Sequence, residues 1–144
     1  MRRACLQIFS ALDFTPLAHA VTGLREGLVR FATDEGDTQI RDGLIQRFEF
    51  TYDLSHKMLR RVIEAGAANP EEVDRMTFPT LIRTAAEQGL TGADWTDWRT
   101  WREMRNITSR TYDEGKARQL AQAIPAFLAQ AQDLLARPEA ARAA

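Results

Sequence analysis

At 144 residues the chain has the size of one domain, large enough to bury a core without disulfide or metal staples. With 44% hydrophobic and 27% charged residues it has the balance of an ordinary globular protein. A net charge of −1 means that any contact with nucleic acid or nucleotide must come from local clustering of positive charge.

The chain begins "MRRACLQIFSALDF", which starts like a signal peptide, but Gln7, Ser10 and Asp13 break its apolar run. No stretch approaches the roughly 20 apolar residues a spanning helix needs. The single cysteine, Cys5, excludes an internal disulfide and a multi-cysteine metal site. Together these features predict a cytoplasmic protein without a membrane segment, with residues 1–13 as an N-terminal extension. Leu17, Val21, Leu24, Leu28 and Phe31 follow 4-3-4-3 spacing, one buried stripe on a first helix with Thr15 as cap and Pro16 at its first position. "ATDEGDT" breaks the chain. A long second helix is predicted from about Thr38 to Ala65. Leu44, Phe48, Thr51, Ser55, Met58 and Val62 mark one face, and Ile45, Tyr52, Leu59 and Ile63 its neighbour. So wide an apolar surface suggests two partners, the helix's own bundle and a second subunit, which together with three tryptophans predicts a homodimer.

Gly66 is placed to cap the second helix, and Pro70 opens a short segment. "TFPTLIRTAAEQGL" reads as a small helix stopped at Gly89. Asp94 caps a helix bearing Trp95, Trp98, Trp101 and Met104. Asp113 caps the last helix, with Leu120, Ile124, Phe127, Ala131, Leu134 and Leu135 on its apolar face and an expected kink at Pro125. Residues 138–144 read as a disordered tail. The expected architecture is all-α: a four-helix up-and-down bundle over residues 14–137 with an extra short helix.

Arg99, Arg102 and Arg105 recur every three residues between the tryptophans, so an arginine ridge lies beside an aromatic one. Arg99 reads as a snorkelling side chain at the core edge. Arg102 and Arg105, with Arg110 across the following turn, gather positive charge without obvious acidic neighbours, which is what a phosphate site needs. Arg105, four residues beyond Trp101, is also spaced for cation–π stacking. Glu49, Asp53, His56 and Lys57 lie along one flank of the second helix. A metal site and a solvated face with an Asp53–Lys57 pair are both open there, and the second is favoured. No P-loop, zinc spacing or catalytic serine arrangement is present, and neither a metal nor a cofactor is expected.

"RDGLIQRFEFTYDLSHKMLR", followed downstream by "RNITSRTYDEGKA", resembles the HEPN proteins once called nucleotidyltransferase substrate-binding proteins, the HepT-like toxin halves of toxin–antitoxin pairs. The resemblance implies a HEPN-like bundle that dimerises with its motif residues facing a cleft. It also implies a minimal nucleotidyltransferase antitoxin as partner, and metal-independent endoribonuclease chemistry from an Arg-(four residues)-His-x-Tyr motif whose tyrosine the antitoxin adenylylates. Carried over by position, Arg105, Arg110 and Tyr112 would be the catalytic set. Arg102, Arg105, Asn106 and Arg110 would bind nucleotide or RNA, and Tyr112 would be the modification site. Arg110 stands where the family has histidine. Imidazole exchanges a proton near neutral pH, whereas guanidinium stays protonated and only binds charge. The sequence therefore favours a regulatory protein that binds RNA or nucleotide phosphates. An active ribonuclease toxin is the alternative, and a purely structural homodimer a second one.

Overall fold

The structure is a computed structural model that describes residues 12–110 and 113–143; for 108–110 and 138–143 it describes the backbone alone. The six helices of the described residues are α1 (Thr15–Thr33), α2 (Thr38–Gly66), α3 (Pro70–Asp74), α4 (Phe78–Glu87), α5 (Trp95–Arg110) and α6 (Glu114–Ala143). No helix among them is long and apolar enough to cross a membrane.

The sequence signals set most of the boundaries. Asp37 caps α2 by accepting from the backbone N–H groups of Gln39 and Ile40, at 2.9 and 3.2 Å. Asn69 and Thr77 do the same for α3 and α4, and Gly89, at φ 74°, closes the turn after α4 where a side chain would be strained. Two cap assignments move: the side chain that receives the first N–H of α1 is Asp13, at 2.9 Å from the Thr15 nitrogen, with Thr15 already inside the helix, and Gly66 is the last residue of α2, whose cap is Ala67 in extended conformation. At the other end α6 runs through Pro125 and on to Ala143, so the backbone of 138–143 continues the helix where a frayed tail is expected.

Helices α1 and α2 form an antiparallel pair. Gly27 on α1 faces Leu44 and Arg47, where an added Cβ would come within 3.2 Å of both side chains; its hydrogen is what lets the helices approach. Arg47 donates to the Gly23 carbonyl at 2.7 Å and Thr51 to the Ala20 carbonyl at 3.2 Å, so the pair is also pinned by polar contacts. Helix α5 runs antiparallel to α2, with Trp98 beside Tyr52 at one level and Arg105 beside Asp53 and Glu49 at the next. Helix α6 closes the bundle by placing Phe127 edge-on to Phe48, 5.0 Å between ring centres. The result is the expected all-α, up-and-down arrangement of α1, α2, α5 and α6, with α3 and α4 bridging α2 to α5.

Both apolar faces of α2 are consumed inside this chain: Leu44, Phe48, Thr51, Ser55, Met58 and Val62 are buried, and so are Ile45, Tyr52, Leu59 and Ile63. The width that suggested a second subunit is covered by α1, α4, α5 and α6. What α2 leaves exposed is Phe50, 58% accessible, on the opposite side of the helix.

Candidate functional site

The inner face of α5 decides where its arginines point. Trp98 is fully buried; it meets Trp101 edge-on at 5.2 Å and donates its indole N–H to Thr91 Oγ1 at 3.1 Å. Thr91 also accepts from the Gln130 amide at 2.8 Å and from the Ala93 N–H at 3.2 Å, which locks the α4–α5 loop onto α6. With the tryptophans fixed inward, Arg99, Arg102 and Arg105 are held on the outer side, and each meets a different environment.

Arg99 is exposed and pairs with Glu103 on its own helix at 3.2 Å. Arg102 lies over the face of Phe78, with its guanidinium carbon 4.7 Å from the ring centre. The arginine–aromatic contact in the structure is therefore this one across helices, where the spacing pointed to Arg105 and Trp101. Arg105 grips α2: its Nε and Nη2 donate to the two carboxylate oxygens of Asp53, each at 3.1 Å, and Nη1 lies 3.8 Å from Glu49. The hydrogen bond to Asp53, above all, holds the Arg105 guanidinium above its already high value.

This corrects the expectation that the arginines lack acidic neighbours. Glu49 and Asp53, four residues apart on one flank of α2, present two carboxylates to the motif arginine. Asp53 takes Arg105 as its partner in place of Lys57. A two-point carboxylate grip fixes the plane of the guanidinium. It also leaves the local charge at Arg105 negative, with two carboxylates to one cation. The signal was in the sequence as the Glu49-Asp53 spacing; the partner from a distant helix was not.

His56, one turn beyond Asp53, packs edge-on against Phe78 at 4.8 Å, and its Nε2 is buried without a hydrogen-bond partner. Burial, first, and then the Arg60 and Arg102 cations hold the imidazole below its usual value, so it is neutral at pH 7. Burial pushes the Tyr52 phenol far up, keeping it protonated. No cluster of three potential metal ligands exists among the described residues, and Glu49, Asp53 and His56 serve arginine and aromatic contacts.

On the other side of Arg105, a groove of about 600 Å³ opens between α2, the end of α5 and the start of α6, lined by Ile45, Glu49, Met104, Ile107, Asp113 and Leu120 among others. Asn106 is exposed beside Arg105. Asp113 caps α6 as expected, accepting from the N–H groups of Gly115 and Lys116 at 2.9 and 3.2 Å. Arg41, 4% accessible, reaches Glu114 at 3.6 Å and so ties the start of α2 to the start of α6. The Arg110 side chain and Tyr112 lie outside the described residues, so Arg105 and Arg102 are the members of the expected set whose side-chain contacts can be stated.

Residues 12–140 of this chain match the family described as nucleotidyltransferase substrate binding protein like. The chain belongs to that family. A Haemophilus influenzae relative named probable ribonuclease HepT is 42% identical over 93 residues, which is 65% of this chain and 63% of the relative, so the match spans just under two thirds of the relative's length. A solved Haemophilus influenzae structure, described as revealing the fold of a substrate-binding domain of a nucleotidyltransferase, superposes with a TM-score of 0.81 at 32% identity, covering 88% of this chain and 99% of that one. The HepT-like resemblance carried by "IQRFEFTYDL" and "RNITSRTYD" and the all-α, HEPN-like bundle are thus both borne out.

Proposed function

We propose that this family member acts in a toxin–antitoxin module, as a homodimer that pairs with a minimal nucleotidyltransferase and binds nucleotide or RNA phosphates at the α5–α6 edge. The observation that carries this reading is the two-point hold of Asp53 on Arg105, which fixes the orientation of the motif arginine while Arg102, without an ion pair among the described residues, supplies the cation beside it that no carboxylate offsets. Holding the guanidinium in one plane lowers the entropy cost of ordering it on a phosphate, which would displace part of the carboxylate grip. Arg102, Asn106 and Arg110 complete the binding set, and Tyr112 is the residue on which the partner would place an adenylyl group. Homodimerisation uses the exposed surface around Phe50 and Ile107, 58% and 40% accessible, since the broad faces of α2 are spent on the core. In this reading the chain works in the cytoplasm.

The replacement of the motif histidine by Arg110 sets the test. Without an imidazole to move a proton, the unaltered protein should bind RNA while cutting it weakly or not at all. Arg110→His should restore metal-independent cleavage, since general acid–base catalysis contributes about 100- to 10,000-fold. Robust cleavage by the unaltered protein, abolished by Arg105→Ala, would overturn this reading. The ribonuclease name of the Haemophilus influenzae relative favours that second reading, an active endoribonuclease toxin.

A further inference from the structure

The three α5 arginines differ in how much of their charge is already answered, and the difference points away from Arg105. Arg99 has Glu103, and Arg105 has Asp53 and Glu49. Arg102 makes no ion pair among the described residues; its partner is the face of the Phe78 ring. A guanidinium held over a ring by cation–π attraction spends no N–H group on a carboxylate, so its donors can turn onto a phosphate. His56 meets the same Phe78 ring edge-on, and one turn further along α2, on the same face, is Arg60. Arg60 is half-buried and likewise makes no ion pair among the described residues; the nearest acid on its own helix is Glu64, one turn on, which feels both Arg60 and Arg61. Phe78 itself is buried, and Trp95, partly exposed and edge-on to it at 5.5 Å, is the ring this patch offers to solvent.

We propose that Arg60 on α2 and Arg102 on α5 form a phosphate subsite, beside the partly exposed Trp95, that takes a backbone phosphodiester of single-stranded RNA one step away from Arg105. The subsite deepens the phosphate-binding role proposed above and rests on it. Two cations on separate helices with the partly exposed Trp95 ring nearby suit a single strand, whose backbone needs charge and whose bases need an exposed ring to stack on. The groups facing His56 are Tyr52, Arg60 and Asp53 from α2, Arg102 from α5 and the Phe78 ring from α4. Burial is the main cause of its lowered basicity, and the Arg60 and Arg102 cations add a further push that Asp53 only partly offsets. A phosphate bound between them would cancel that push.

His56 is therefore a built-in reporter. The chain has two histidines, so the imidazole signals can be followed by NMR across a pH titration, with and without a short single-stranded RNA of mixed sequence, and separately with inorganic phosphate. The expected result is that RNA raises the His56 value by a measurable step while leaving His19, exposed on α1, unmoved. Inorganic phosphate giving the same step at much higher concentration identifies the phosphate group as the ligand; a step of equal size at equal concentration would overturn RNA as the occupant. In parallel, Arg60→Gln and Arg102→Gln should each weaken RNA binding and lower the salt slope by about 1, the mark of one lost phosphate contact, while Arg99→Gln changes neither. RNA binding that persists with an unmoved His56 and an unchanged slope in both variants overturns the subsite but leaves the general binding role standing. Absence of any RNA binding by the unaltered protein overturns both.

Discussion

The two sides of α5 obey different rules. The inner side, Trp98 and Trp101, meets one demand, removal of a large aromatic surface from water, and any close-packed neighbour satisfies it. Phe127 from α6, Tyr52 from α2 and Thr91 from the preceding loop share that task. The outer side carries three arginines at regular spacing, yet one pairs within its helix, one stacks on a ring and one is gripped by carboxylates from α2. Burial is additive and forgiving, whereas charge depends on which side chain stands opposite. The inner side should therefore dominate stability and the outer side should dominate recognition.

The largest expected effect tests the inner side. Trp98→Ala removes a fully buried indole and should cost about 3–5 kcal/mol of stability by urea denaturation. A loss no greater than that of an exposed substitution would break the contrast between the two sides. Next comes Thr91→Val, which leaves the indole N–H of Trp98 and the Gln130 amide without their acceptor in the interior; about 1–3 kcal/mol should be lost, and Thr91→Ser should recover most of it.

On the outer side, Asp53→Asn should change stability by about 0.2–1 kcal/mol, because the Arg105 pair is partly solvated. The same change should tighten RNA binding measured by anisotropy, since it removes one of the two carboxylates that compete with a phosphate. Weaker binding would mean that the orientation Asp53 imposes matters more than the charge it subtracts. The smallest effect concerns pH. The folded-state value of His56 lies below the unfolded one of 6.5, so the unfolded chain takes up the proton first as pH falls. Its contribution to stability is full above about pH 6.5 and is lost as pH drops toward the lowered folded value. His56→Phe should flatten the urea midpoint between about pH 7 and pH 5, and an unaltered slope would place the acid sensitivity elsewhere.

Much of the fold was legible because its determinants are local. Asp37, Asp94 and Asp113 mark helix starts through bonds to N–H groups two or three residues away, and Pro16 does so through its fixed φ; such short-range geometry survives in any tertiary setting. The stripes through Leu17, Val21 and Leu24 and through Trp98 and Trp101 were equally readable, since helical periodicity alone gathers them on one side. The site was legible only in part. Spacing brought Arg102 and Arg105 to attention and the family motif named Arg105, but the acidic neighbours that define Arg105 sit 52 and 56 positions earlier in the chain. Phe48 and Phe50 illustrate the same limit. Two similar residues sit two places apart, and one is the centre of the core while the other faces solvent, because helix rotation and the packing of α1, α5 and α6 choose between them.

By itself, then, the sequence determined the helices, some of their caps, the bundle and the family, because these follow from local bonding, periodicity and a motif of fixed spacing. Only the tertiary structure decided which charges are answered: that Arg105 is gripped by Asp53 and faces Glu49, that Arg102 lies over Phe78, and that His56 packs edge-on against the same ring. Electrostatic energy depends on the distance between side chains, and when those side chains lie on different helices that distance is fixed by packing and not by position in the chain.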